Sequence, residues 1–165
     1  MIFCPHRHCL QRMPCPKHKP TFQCEDVAEH IAHSKTIMGE RNDCTVLAVA
    51  VAADLPYMTA HAMMEQAGRK RRRGMRFIPW LNRKCFEEKD AARLGEYKVQ
   101  RVRLINRSGY PYTVTLAKFL RDFPRGTFIV CKSRHAFVVK DGKVINLNST
   151  GARTRITDIW YLSKP

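Results

Sequence analysis

Two residues of types that perform nucleophilic chemistry, Cys44 and His135, stand where predicted elements begin. Cys44 directly precedes the longest apolar run of the chain, residues 45–53, which predicts a buried helix with the cysteine at its N-terminus. A helix N-terminus carries partial positive charge and free N–H groups, and both stabilise a thiolate. We therefore predict that Cys44 is a nucleophile, the alternative being a buried cysteine that packs as a small hydrophobic side chain.

His135 opens a predicted strand, and an orienting partner is expected beside it. The Asp-Gly pair at 141–142 is a strong hairpin signal, and a second strand follows at 143–147. The hairpin returns the end of that strand to His135, so Asn146, or alternatively Asn148, is expected next to the imidazole. An amide there can hold the ring in one orientation while His135 acts as the general base. The alternatives are a surface histidine and a polar strand end.

The elements that would position these residues fall into two groups along the chain. Apolar periodicity predicts helices at 25–33, 45–53, 56–67 and 115–123, and strands at 127–132, 135–140, 143–147 and 156–162, with a further strand within 97–105. Because the helices come first and the strands last, the sequence predicts an α+β fold with an antiparallel sheet. Residues 69–75 are predicted to be basic and flexible, and 76–95 show no clear element.

The first 24 residues have a different composition, rich in Cys, His, Pro and Lys. One C-x4-C-x5-C-x2-H pattern is formed by Cys4, Cys9, Cys15 and His18. Four thiolate and imidazole groups together suit tetrahedral zinc. A short segment without a hydrophobic core needs a bound metal of this kind to be ordered. We predict a structural zinc in residues 1–24, ahead of a main domain at 25–165. Competing ligands are His6, His8 and Cys24, and a disordered tail is the alternative.

The chain is strongly basic, with a formal net charge of +16 from 30 Lys and Arg against 14 Asp and Glu. Such a charge favours polyanionic partners, most obviously nucleic acid. The positive charge is widely spread, and one dense run is formed by Arg69, Lys70, Arg71, Arg72 and Arg73. A nucleic-acid contact through this run is one interpretation, and simple solubility is the other.

Hydrophobic residues make up 44% of the chain, enough for a packed core. No apolar run approaches the ~20 residues of a membrane-spanning helix. The N-terminal residues do not form a signal-peptide pattern either. We therefore expect a cytoplasmic protein that makes no membrane contact.

The motifs together resemble the papain-like cysteine peptidases over about residues 37–162. The similarity lies in the chain order Cys, His, then Asn or Asp, in Asn42-Asp43-Cys44 at a helix start, and in His135 opening a strand that enters a short hairpin. The pattern is similar to that of small phage- and prophage-encoded papain-fold proteins and of bacterial leader-processing peptidases. The N-terminal spacing resembles a zinc knuckle found ahead of the nuclease domain in some phage endonucleases, although no His-Asn-His constellation follows it here.

The resemblance implies a helical part bearing Cys44 and a sheet bearing His135 and Asn146. It also implies cleavage of a peptide or isopeptide bond in a protein or peptide substrate through an acyl-thioester at Cys44, in a bacterial host cell if the protein is phage-encoded. Two other functions stay open. One is a zinc-dependent basic nucleic-acid-binding protein, and the other is a catalytically inactive papain-fold interaction protein.

One departure from the family concerns the oxyanion hole. The family usually has a Gln several residues before the cysteine, whereas position 38 is Met and no Gln lies between Gln23 and Cys44. Asn42 and the backbone N–H of Cys44 are expected to donate instead. Loss of one such donor typically lowers the rate by ~10²–10³-fold. The missing Gln is therefore the reason for considering a catalytically inactive papain-fold protein.

Overall fold

The computed structural model describes residues 31–32, 38–87, 92–105, 108, 112–145 and 150–164. The elements in chain order are α1 (Cys44–Ala52), α2 (Tyr57–Gln66), α3 (Phe77–Glu87), β1 (Arg93–Leu94), β2 (Tyr97–Val102), β3 (Val114–Thr115), α4 (Leu116–Asp122), β4 (Thr127–Lys132), β5 (His135–Lys140), β6 (Lys143–Ile145), β7 (Arg155–Ile156) and β8 (Asp158–Ser163). The helices predicted at 45–53, 56–67 and 115–123 are thereby confirmed. Of the helix predicted at 25–33, positions 31 and 32 are described, and both are helical.

The strands form an antiparallel sheet in the order β1-β2-β8-β4-β5-β6, and β3 pairs with β7 separately. All described pairings are antiparallel. Helix α1 packs on β5 and β4 and is covered in turn by α2. The fold is therefore α+β with an antiparallel sheet, as the order of elements predicts.

Helix α1 is buried on every side rather than along one stripe, because it lies between the sheet and α2. All of its residues after Cys44 are buried. Their small size lets α1 approach both neighbours closely, which compensates for the lower helix propensity of valine. The body of the helix that presents Cys44 is thus fixed by packing from two layers.

The central strands β4 and β5 bury both faces. The helix-side core, between the sheet and α1 to α3, includes Ile129, Cys131, Ala136, Val138 and Trp160. The far-side core, under α4 on the opposite face, includes Phe119, Val130, Phe137, Val139 and Ile159. Successive side chains of β4 and β5 therefore alternate between two apolar environments, which explains why both strands appear in the sequence as nearly continuous hydrophobic runs.

The hairpin between β5 and β6 turns at Asp141 and Gly142, as the Asp-Gly signal predicts. Both residues have positive φ, 49° and 71°, the combination required by a tight two-residue hairpin turn. A Cβ at Gly142 would also lie 3.2 Å from the carbonyl oxygen of Pro124. Glycine is therefore required at this position by both its backbone conformation and its close neighbour.

Helix α3 is an element that the sequence did not predict. Pro79 lies in its first turn, where the missing N–H would have no intrahelical acceptor in any case. Phe77 and Leu81 are buried, and the Phe77 ring meets the Trp160 ring edge-on at 6.3 Å between centroids. Burial against the sheet, rather than a regular sequence pattern, stabilises this helix.

Candidate active site

Cys44 is the half-buried first residue of α1, and the contacts of the helix place it at one end of the sheet. At the other end of α1, Asp54 Oδ1 lies 3.3 Å from the Nζ atom of Lys140, the last residue of β5. The helix from Asp54 back to Cys44 covers about 15 Å, and the strand from Lys140 back to its start covers about 16 Å. Because α1 packs along β5, Cys44 lies near the end of the sheet where His135 begins β5.

The second described free cysteine, Cys131, supports this placement. It is buried on β4 opposite Ala136, the residue after His135. Burial raises the pKa of the Cys131 thiol well above its usual range, and the Asp158 carboxylate and Cys44 nearby raise it further. Cys131 is therefore a protonated core residue near Cys44, and Cys44 is the more accessible of the two thiols.

His135 is half-buried at the open end of the sheet, after a turn in which Arg134 has φ of 59°. Its ring lies beside the Phe137 ring, with centroids 6.2 Å apart and planes inclined by 20°. Phe137 belongs to the far-side core, whereas Ala136 belongs to the helix-side core with α1. Alternation along β5 thus assigns the His135 side chain to the sheet face opposite Cys44.

The loop that enters α1, residues 38–43, is called here the approach segment. Its Glu40 is buried and accepts two hydrogen bonds from Arg69, at 3.1 Å from Nη1 and 2.9 Å from Nη2. His61 Nε2 lies 2.9 Å from the same carboxylate. The side chains of Glu40 and Arg69 are 0% exposed and that of His61 is 2% exposed, so this is a buried ionic cluster.

Residues 69–73, called here the basic run, do not form the flexible segment that their composition predicts. Arg71 donates from Nε and Nη2 to the carbonyl oxygen of Met38, at 3.2 and 2.7 Å. Arg72 donates from its backbone N–H to Glu40 Oε2 at 2.8 Å and from Nε to the Gly39 carbonyl at 3.3 Å. The prediction of flexibility was wrong because these arginines satisfy polar groups of the approach segment.

The last residues of the approach segment are also held by tertiary contacts. Asn42, the expected oxyanion donor, is exposed, and its Nδ2 donates to the Arg72 carbonyl at 3.2 Å. Asp43 occupies the N-cap position of α1 but makes no side-chain capping bond; its carboxylate accepts from the Tyr57 hydroxyl at 3.1 Å. The Asp43 carboxylate therefore bonds to α2 and makes no capping hydrogen bond to the first turn of α1, which begins at Cys44.

The ionic cluster also perturbs the titration of Glu40. Burial alone would disfavour the charged carboxylate. The hydrogen bonds from Arg69, His61 and the Arg72 N–H outweigh it and lower the pKa of Glu40 from 4.5 to about 2. Glu40 is thus ionised in the folded protein at every pH at which an unfolded chain would ionise it, and over a further acidic range.

Acid should therefore weaken the fold through Glu40. A depressed folded-state pKa stabilises the protein above the unfolded value of 4.5, and this stability is lost as the pH falls toward 2. The expected loss is about 3 kcal/mol in the free energy of unfolding, measured by urea titration at pH 6 and at pH 2.5. Glu40→Gln should remove this part of the pH dependence, whereas Glu65→Gln, at a 48% exposed side chain, should keep it. An equal pH dependence in both variants would contradict this account.

Several predicted site residues fall outside the described part of the chain. These are the zinc ligands Cys4, Cys9, Cys15 and His18, their competitors His6, His8 and Cys24, and the orienting candidates Asn146 and Asn148. Within the described ranges, no group of three or more His, Cys, Asp or Glu residues could hold a metal ion.

Sequence reasoning missed the buried cluster of Glu40, His61 and Arg69. The available signal was weak: a histidine inside a predicted amphipathic helix, and an Arg directly after the Gly68 helix stop. Neither feature specifies a partner on a distant segment, so the pairing with Glu40 appears only in the folded chain.

Comparison with known proteins adds no family to this picture. No protein-family model matches the chain, and neither does any curated protein or solved structure. In the described ranges, no helix is both long and apolar enough to cross a membrane.

Proposed function

We propose that the protein is a cysteine peptidase or related thiol amidohydrolase of papain-like design, with Cys44 as its nucleophile. The observation that supports this most directly is the position of Cys44 at the N-terminus of a buried helix, near the end of the sheet where His135 begins β5. This arrangement places a half-accessible thiol at a helix N-terminus, at the same end of the sheet as the His135 imidazole.

The proposed reaction has two steps. The Cys44 thiolate attacks the carbonyl carbon of a peptide or isopeptide bond, and the C–N bond breaks as His135 gives a proton to the leaving amine. Water then attacks the acyl-thioester while His135 takes a proton from it, and the C–S bond breaks to return the thiolate and release the acid. The N–H of Cys44 and the second amide N–H of Asn42 are the proposed oxyanion donors.

The proposal sets a geometric requirement on His135. Its imidazole must lie within hydrogen-bonding reach of the Cys44 sulfur during the reaction, whereas its ring lies beside Phe137. His135 is the first residue of β5, at the end of the sheet. Because the His135 side chain leaves β5 on the face opposite Cys44, the proposal requires the backbone at this strand end to turn as well as the side chain. Asn146 is proposed to hold the imidazole in the reactive orientation.

The remaining features of the proposal come from the sequence. They are a structural zinc held by Cys4, Cys9, Cys15 and His18, a protein or peptide substrate, a cytoplasmic location and a phage or prophage origin. The predicted zinc ligands lie outside the described residues.

A nucleic-acid-binding function through the basic run is less well supported. Arg69 is buried against Glu40, and the guanidinium groups of Arg71 and Arg72 donate to carbonyl groups of the approach segment. Donors already used within the protein are less available to phosphate groups. We therefore prefer the thiol-hydrolase proposal.

Alkylation of Cys44 tests the proposal without a known substrate. Iodoacetamide should modify Cys44 before the buried Cys131, as localised by mass spectrometry of the peptides. His135→Ala should change the dependence of the Cys44 alkylation rate on pH, because the proposed mechanism brings the imidazole to the thiol. A pH profile identical in the wild type and in His135→Ala would overturn the pairing of Cys44 with His135, and with it the papain-like mechanism.

A further inference from the structure

We infer that the basic run positions the approach segment, and that Arg69 and Arg71 are positioning residues for Cys44. This inference rests on the proposed function in one respect only, which is that the reactivity of Cys44 matters. It assigns to residues 69–73 a role that their charge does not suggest. The run acts within the molecule, on the loop that delivers the nucleophile, rather than on a polyanion.

The inner contacts between the basic run and the approach segment are buried and ionic. The Arg69 guanidinium meets the Glu40 carboxylate through two parallel bonds, a geometry that fixes direction as well as distance. The backbone N–H of Arg72 donates to the same carboxylate. Glu40 is therefore bound at once to a side chain and to the backbone of the basic run, which sets the distance between the two segments.

The outer contacts are exposed and involve backbone carbonyls. Arg71 donates twice to the Met38 carbonyl, and Arg72 donates to that of Gly39. In the opposite direction, Asn42 donates to the Arg72 carbonyl. Gly39 has φ of 56°, and a Cβ there would lie 3.3 Å from Arg72 Nη2, so the two segments lie in close contact. The contacts thus extend from the first residue of the approach segment to Asn42.

The approach segment continues without interruption into the first turn of α1. The carbonyl oxygen of Asp43 accepts the N–H of Leu47, so the position of Asp43 sets the geometry of the turn that contains Cys44. The rest of α1 is fixed by its core contacts. Residues 39–43 belong to no helix or strand, so their contacts with the basic run, together with the bond from Tyr57 to Asp43, set where this turn begins.

The basic run supplies its own charge-matched control. Arg71 and Arg73 are both exposed arginines of the same run, but the side chain of Arg73 does not bond to the described approach segment. Arg71→Ala and Arg73→Ala remove the same charge and the same amount of side chain. If the run acts only through its charge, the two substitutions should change the alkylation of Cys44 equally. If it positions the approach segment, only Arg71→Ala should change it.

The test measures Cys44 alkylation by iodoacetamide across pH in the full-length protein. Arg71→Ala should change the rate by about 3-fold or more and shift the pH midpoint, because small displacements of reacting groups have large kinetic effects. Arg73→Ala should change neither quantity measurably. Arg71→Lys should restore part of the wild-type profile, since an ammonium group can also donate to the Met38 carbonyl. Urea unfolding of each variant confirms that Arg71→Ala is folded.

Equal alkylation profiles for Arg71→Ala and Arg73→Ala would overturn the inference. The inference would also be overturned if Arg71→Ala and Arg73→Ala lost equal affinity for a DNA oligonucleotide and did not differ in alkylation. That result would identify the run as a surface that binds polyanions. Failure of the proposed function is separately visible, because it appears as a pH profile insensitive to His135→Ala. In that case the comparison of Cys44 alkylation in Arg71→Ala and Arg73→Ala still tests whether the basic run positions the approach segment.

Discussion

Replacing Cys44 by alanine is expected to abolish hydrolysis of peptide substrates while the protein stays folded. Loss of the nucleophile removes the acyl-thioester step, and the expected decrease in kcat/KM is at least ~10³-fold. Cys44 is half-buried at the start of α1, where alanine is a good helix former, so the substitution leaves neither a large cavity nor an unpaired charge. Hydrolysis of a fluorogenic peptide library by wild type and variant measures the effect.

The matched control for this experiment is Cys131→Ala. This variant also removes one thiol group, but from β4, at a site that is buried in the helix-side core. This variant should keep its activity and lose some stability. Hydrolysis that survives in Cys44→Ala, or that disappears equally in Cys131→Ala, would show that the nucleophile has been assigned wrongly.

Replacing Arg69 by methionine is expected to lower the free energy of unfolding by about 3–5 kcal/mol, since it leaves the buried Glu40 carboxylate without its principal partner. The side chains of both residues are 0% exposed, so water cannot replace the lost bonds without opening the structure. Methionine keeps the apolar stem of the arginine and limits the contribution of a cavity. Urea unfolding at neutral pH gives the difference.

Arg101→Met is the comparison for Arg69→Met. Arg101 also pairs with a carboxylate, Asp158, at 2.8 Å, but its side chain is 37% exposed. A pair of this kind should contribute less than about 1 kcal/mol. If the two variants lost equal stability, burial would not be the cause of the Arg69 effect.

The sequence predicted the elements whose signals are local. The apolar run after Cys44, the helix stop at Gly68 and the Asp-Gly hairpin each specify structure within a few residues. The strands at 127–132 and 135–140 agree with the bounds of β4 and β5 for the same reason. Cys44 at a helix start and His135 at a strand start were accordingly predicted correctly.

The features that failed depend on distant partners. Helix α3 contains Pro79 and has a mixed composition, so its stability comes from packing that no local pattern encodes. The pairing of Glu40 with Arg69 joins positions 29 residues apart, and charge density alone suggested an external ligand for the basic run. The face of β5 on which the His135 ring lies depends on the alternation of two apolar cores, which appears only once both faces of the sheet are covered.

Burial of β4 and β5 on both faces also has a consequence before folding is complete. Their apolar runs, at 128–131 and 136–139, have high β-propensity and would be exposed in a newly made chain, where such segments promote aggregation. Lys132, Arg134 and Lys140 flank these runs as charged gatekeepers. The net charge of +16 adds mutual repulsion between unfolded copies. The basicity of the chain therefore has a use in its own solubility that requires no anionic partner.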